Sequence, residues 1–203
     1  MGRNEDLNKK IRDERKEQIL NAALRLFARK GVGSTKVSDI ASAADISHGL
    51  VYQYFVSKEE IFETLVKNAI ELTGHATEMI SKTPLSPINK IEAFFEGFIQ
   101  DLERQIQGGE YPYYFLIMIQ ATSFESISER INEILYSEPF PLGIFFYNTI
   151  VEGQKLGEIT QGDPMMLTST LLQLSLGIAL SANPKNASMP MPSTEIILKM
   201  LKP

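Results

Sequence analysis

The chain has 203 residues, of which 43% are hydrophobic and 22% charged, and a formal net charge of −5. That length supports one large domain or two small ones, and the ordinary composition excludes a disordered or collagen-like chain. With no cysteine and only two histidines, His48 and His75, disulfides, thiolate metal sites and cysteine nucleophiles are excluded, and little material is left for a histidine metal cluster or a Ser-His-Asp triad.

The first twenty residues are polar and charged, without the apolar core of a secretory signal. The run Lys9-Lys10-Ile11-Arg12 reads as a disordered tail with loose affinity for a charged backbone. From Arg12 to Lys30, apolar Ile19, Ala23, Leu26 and Phe27 fall on one helix face, and Gly31 and Gly33 stop the helix. Thr35 is placed to cap a short helix from about Lys36 to Ala44, with Asp39 in its first turn. Asp45-Ile46-Ser47 is a tight connection to another short helix, Ser47 to about Phe55. Ser57 and Glu60 have the spacing of a capping box, which opens a long helix to about Ile80.

After a break at 82–87, a helix from Ile88 to about Gln107 carries Ile91, Phe94, Phe95, Phe98 and Leu102 on one face. Gly108 and Gly109 end it. Pro112 to Thr122 is apolar on all sides and is expected to be a buried central helix. Its Tyr113–Ile119 stretch is the longest unbroken apolar run, far short of the roughly 18–20 residues that span a bilayer. Helices from about Ser126 to Ser137 and from Pro141 to Leu156 follow. Asp163 caps the next, with Pro164 at its first position, to about Ala182. Residues 183–192 read as a loop, and Thr194 to Leu201 as a last short helix. No segment alternates as a strand. The fold class is all-α: a three-helix N-terminal head over residues 1–56 and a larger helical body over 57–203.

Charge separates the same two parts. Residues 1–58 hold 11 basic and 7 acidic side chains, a balance of +4, whereas 59–203 hold 9 and 18, a balance of −9. The local field decides binding, so an acidic body does not prevent a basic head from meeting nucleic acid. Two short helices joined by a tight turn form the pattern of a helix-turn-helix. Val37, Ile40 and Ala41 face inward, Ala44 is small where the helices cross, and Val51 and Phe55 turn the last helix inward. Its opposite face then carries His48, Gly49, Tyr52 and Gln53, with no carboxylate that phosphates would repel.

The stretch Thr35-Lys36-Val37-Ser38-Asp39-Ile40-Ala41, then Ala43 through Phe55, then Ser57-Lys58-Glu59-Glu60 resembles the DNA-binding head of the tetracycline-repressor (TetR) family, over roughly Ile19 to Leu65. A weaker similarity lies in Glu152-Gly153-Gln154-Lys155-Leu156-Gly157-Glu158-Ile159 followed by Asp163. Two positions depart from the family pattern: Asp45 stands where glycine is commonest, and His48 where lysine is frequent. Asp tolerates the left-handed conformation better than most residues. The resemblance implies that Thr35 and Lys36 reach the phosphate backbone and that His48, Gly49, Leu50 and Gln53 face base edges. Gln53 suits adenine and Leu50 a thymine methyl. It further implies that Tyr52, Tyr54 and Lys58 hold phosphates. Beside these stand plainer readings, with Tyr54 as core packing, and Lys58 and His48 as solvated surface residues.

One short reading helix covers too few base pairs to select a genomic site, so two heads on a two-fold axis are expected, reading an inverted-repeat operator on double-stranded DNA. The expected homodimer interface lies on the last long helices, through Leu167, Leu171, Leu174, Gly177, Ile178 and Ser181. The alternative is a wholly intrachain core. The aromatic middle of the chain is mostly core. Following the resemblance, it also offers a small-molecule effector site at Phe94, Phe98, Tyr114, Met118, Gln120, Phe145 and Asn148. The expected function is a ligand-responsive, dimeric repressor in the cytoplasm, with no cofactor, metal, catalytic residue or membrane partner. The alternatives are a DNA-binding protein whose body binds another protein, and an enzyme or carrier. No Glu-x-x-His pair and no nucleophile–base pairing favours the last.

Overall fold

The computed structural model describes residues 2–123, 129–136, 139–184 and 190–203, with the side chains of 2–5 and 123 left out. These residues form ten helices and no strand: α1 (Gly2–Lys30), α2 (Val37–Ala43), α3 (His48–Val51), α4 (Lys58–Ser81), α5 (Pro87–Gln107), α6 (Tyr113–Ser123), α7 (Glu129–Tyr136), α8 (Pro141–Lys155), α9 (Pro164–Ser181) and α10 (Thr194–Lys199). The chain divides into two compact units, Met1–Asn68 with Leu116–Ile134, and Ala69–Phe115 with Leu135–Pro203. Parts of the sequence expectations for a helix at 126–137 and a loop at 183–192 fall outside the described residues.

In the first unit, α1 begins at Gly2, well before the expected start at Arg12, so Lys9-Lys10-Ile11-Arg12 is helical and not a disordered tail. No proline or glycine interrupts residues 3–30, and pairs such as Lys10–Glu14 (3.9 Å) and Arg15–Gln18 (2.7 Å) support its surface. Ile19, Ala23 and Phe27 are fully buried, along with Ile40, Ile61 and Leu65. Phe27 meets Phe62 edge to face at 5.9 Å. Gln120 Nε2 donates to the Phe27 carbonyl (2.7 Å), and the exposed Arg130 pairs with the buried Glu63 carboxylate at 3.1 Å.

In the second unit, α5, α8, α9 and α10 enclose Ile91, Phe95, Leu102, Phe146, Ile150 and Leu171. Phe94, Phe95, Phe98, Phe145 and Phe146 touch ring to ring, with centroids 5.1–6.5 Å apart. The α6 segment is not buried all round. Tyr113, Ile117 and Ala121, four apart, are buried, whereas Tyr114, Phe115, Leu116, Met118, Ile119 and Gln120 are half-buried. By length and composition α9 could cross a membrane, yet its Leu171, Ile178 and Ala179 are buried within the chain. The hydroxyls of Thr73, Thr77 and Ser81 in α4 each donate to the carbonyl four residues earlier, at 2.8–2.9 Å.

The end of α8 approaches the following strap so closely that only glycine fits at position 153. A Cβ there would stand 2.5 Å from Ile159 Cδ1 and 3.1 Å from Pro87 Cβ. Ile159 is itself fully buried. We predict that Gly153→Ala lowers unfolding free energy by about 1–3 kcal/mol, the range for overpacked cores. Urea denaturation measures it. Combined with Ile159→Ala, the loss falls below the sum of the two single losses, because the shortened side chain makes room.

Candidate nucleic-acid interface

The α2–α3 turn is built from backbone bonds and one unusual angle. Asp45 has φ +51°, the left-handed conformation, and it is the one non-glycine residue among those described with positive φ. Ile46 N–H then donates to the Ala41 carbonyl (3.0 Å), and Ala44 is buried at the crossing. Ser47 Oγ accepts from Leu50 N–H at 3.2 Å, capping α3. Gln18 Nε2 from α1 donates to the Ala44 carbonyl, tying the turn to the first helix. No sequence pattern marks that glutamine, since only the fold brings it beside a residue 26 positions on.

The reading segment is shorter than the expected helix 47–55. It has one α-helical turn, His48–Val51, followed by turn bonds from Gln53, Tyr54 and Phe55 N–H to Leu50 and Val51 carbonyls. Val51 and Phe55 are buried, with Lys16 Nζ 5.7 Å from the Phe55 ring centre. On the outside, His48, Gly49, Tyr52 and Gln53 are exposed, and Leu50 is half-buried. Tyr52 is 48% exposed and leans edge-on against His48 at 5.1 Å. Tyr54 is half-buried, between its two sequence readings.

Two expected phosphate contacts are placed otherwise. Thr35 is fully buried, and its Oγ1 donates to the Gly31 carbonyl (2.8 Å). The residue that caps α2 is Lys36, whose N–H donates to Asp39 Oδ2 (3.2 Å). Lys36 itself is exposed. Lys58 does not project from the helix end toward an anion. Its Nζ donates to the carbonyls of Val32 (2.8 Å), Gly33 (3.2 Å) and Thr35 (3.0 Å). At the start of α4 the Ser57 half of the expected box forms, with Ser57 Oγ accepting from Glu60 N–H, whereas the Glu60 carboxylate accepts from Val56 N–H, one residue before the cap.

The expected effector residues are divided between the two units. Phe94 and Phe98 pack in the phenylalanine cluster, and Phe98 also meets Phe115 at 5.3 Å. Tyr114 lies in the second unit, whereas Met118 and Gln120 lie in the first. The Gln120 amide is engaged by the Phe27 carbonyl. Phe145 and Asn148 do share a groove of about 400 Å³, with Thr77, Glu78, Lys90 and Glu152 around it. Lys82, hydrogen-bonded to Glu78 at 2.6 Å, holds the Glu78 carboxyl below the usual carboxylate range. Among the described residues no group of three acidic or histidine side chains gathers as a metal site.

The expected interface residues on α9 divide in the same way. Leu171 and Ile178 are buried in the chain's own core, which removes them from any partner surface. Leu167, Leu174 and Ser181 are half-buried, the two leucines packing against the same core, and Gly177 is exposed. The apolar residues that α9 presents to solvent are Met165, Met166, Leu176 and Leu180, and α8 adds Ile144 and Tyr147. A leucine-rich helix shows no face from sequence alone, so its inward and outward leucines are not separable there.

Residues 19–65 match the sequence profile described as bacterial regulatory proteins, tetR family. Over 91 residues the chain is 30% identical to the HTH-type transcriptional repressor KstR2 of Mycolicibacterium smegmatis, covering 45% of this chain and 44% of that protein. The chain thus spans less than half the length of that relative. Two solved structures share the fold. The TetR family transcriptional regulator PfmR from Thermus thermophilus is 21% identical with TM-score 0.70, covering 89% of this chain and 93% of that one. The transcriptional regulator FadR from Bacillus subtilis, in complex with stearoyl-CoA, is 20% identical with TM-score 0.68, covering 91% and 96%.

The Asp45 turn yields a stability prediction. Asp45→Gly keeps or raises the unfolding free energy, because glycine reaches positive φ without a Cβ penalty. Asp45→Val lowers it by about 1–3 kcal/mol, since a β-branched residue is strained there. Denaturant midpoints of the three proteins check the order.

Proposed function

We propose that the chain, whose residues 19–65 match the tetR family of bacterial regulatory proteins, is a homodimeric, ligand-responsive transcriptional repressor acting in the cytoplasm. The observation that carries this reading is the exposed, carboxylate-free side of α3 and its following turn, His48, Gly49, Tyr52 and Gln53. A duplex tolerates such a surface and repels an acidic one. His48, Gly49, Leu50 and Gln53 read base edges in the major groove. Lys36, Tyr52 and Tyr54 hold phosphates and set the register.

Two copies join through the solvent-facing sides of α8 and α9, where Leu176, Gly177, Leu180, Ile144 and Tyr147 lie. The two-fold pair reads an inverted repeat. Residues 57–203 serve as the regulatory domain. An apolar molecule enters by the groove at Phe145 and Asn148; FadR, which has this fold, is described with stearoyl-CoA, and that supports an apolar ligand here. The ligand shifts the population toward a form whose heads no longer match the half-sites, with a coupling of roughly 1–3 kcal/mol. A second reading is favoured by the ring-to-ring contacts of the phenylalanine cluster. A filled interior suits a body that binds another protein instead of a small molecule.

Selection of duplexes from a random pool tests the DNA reading, and an inverted repeat is the expected product; a single asymmetric half-site contradicts the dimer. Gln53→Ala relaxes preference at one base position, at a cost of about 1–3 kcal/mol for the preferred base. Lys36→Met weakens all sequences alike and lowers the slope of log affinity against log salt by about one. Fluorescence anisotropy over a series of salt concentrations separates the two. A rise in melting temperature with stearoyl-CoA, and release of the duplex, distinguishes the small-molecule reading from the second one.

A further inference from the structure

The loop between α1 and α2 has its carbonyl groups turned to one point. Gly31, at φ +80°, ends α1, and the Thr35 hydroxyl donates to the Gly31 carbonyl. The carbonyls of Val32, Gly33 and Thr35 then converge on the Lys58 ammonium at 2.8, 3.2 and 3.0 Å. An ammonium has three N–H donors and no acceptor, so these bonds use its full capacity. Thr35 immediately precedes Lys36, the N-cap residue of α2. The clamp therefore closes at the place where α2 begins.

We propose that Lys58 is a positioning residue for DNA binding and not itself a phosphate contact: held by the carbonyl oxygens of Val32, Gly33 and Thr35, it fixes where Lys36 and the first turn of α2 meet the duplex. The inference rests on the reading of the head as a DNA-binding element. To reach a phosphate, Lys58 has to give up three charge-assisted bonds. Arginine does not replace it, because a planar fork cannot put three donors on three converging acceptors.

The full chain and a selected duplex supply the test. Affinity is measured across a range of potassium chloride concentrations for the wild type, Lys58→Met, Lys58→Arg, Lys36→Met and the double variant Lys36→Met/Lys58→Met. Lys58→Met and Lys58→Arg both bind ~10-fold more weakly, with the wild-type salt slope, because the lost bonds shift geometry and not charge at the duplex. The double variant binds within about 3-fold of Lys36→Met, since the clamp acts through Lys36. A slope lower by about one in Lys58→Met, with wild-type binding in Lys58→Arg, overturns the proposal in favour of a direct phosphate contact. Losses that multiply in the double variant overturn it in favour of a role in folding alone.

Acetylation of the wild-type protein needs no variant to fold. Lys58 reacts slowly both free and on DNA, whereas Lys36 reacts fast when free and is protected by DNA. Fast reaction of Lys58 when free, with protection only on DNA, sinks the clamp. A wild-type chain that binds no duplex at low salt overturns the DNA-binding reading and this inference together. Wild-type binding with a changed slope at Lys58 overturns the inference alone.

Discussion

The direction in which α3 faces is set by the backbone at Asp45. A positive φ there reverses the chain within a few residues, so Val51 and Phe55 point into the core while His48, Tyr52 and Gln53 point away from it. Asp accepts this conformation at less cost than a β-branched residue. The Ala41–Ile46 backbone bond, the Ser47 cap and the Gln18 side chain on the Ala44 carbonyl then hold what that angle starts. The chemistry assigned to the outer face depends on these few bonds.

Side chain to carbonyl bonds recur throughout the first unit. Gln18, Thr35, Lys58 and Gln120 each reach a backbone oxygen, three of them across more than twenty residues. Exposed ion pairs such as Lys10–Glu14 contribute little, about 0–1 kcal/mol, because water screens both partners. Bonds to half-buried carbonyls are held more firmly, since an acceptor left without a donor is costly. The head is thus braced from within, while the Lys36 side chain is exposed. The acidic balance of residues 59–203 leaves this local arrangement untouched.

Much of this is legible in the sequence, for physical reasons that differ by element. Helix ends announce themselves through glycine, proline and capping residues, which act within one turn: Gly31, Ser57 with Glu60, and Asp163 before Pro164. The inward face of α2 follows from apolar spacing. The roles of Thr35 and Lys58 do not follow, because their partners are carbonyl groups, which every residue has and no side-chain pattern marks. The start of α1 is hidden because the charged residues 3–17 are equally compatible with a tail and with a helix stabilised by spaced charges. On α9, leucines at many positions hide the periodicity, so Leu171 and Leu176 look alike although one is buried and the other exposed. The effector residues follow from aromatic content, which describes a core before it describes a cavity.

The hydroxyl ladder of α4 has a mechanical consequence. When Thr73, Thr77 and Ser81 share carbonyls with the helix's own amides, each shared oxygen divides its attraction between two donors. The rod is softened along that edge, and Gly74 adds no side-chain bulk to stiffen it. Such a helix curves at lower cost than one lined with alanine or leucine. The compliant stretch, from Ala69 to Ser81, belongs to the second unit and begins where α4 leaves the first.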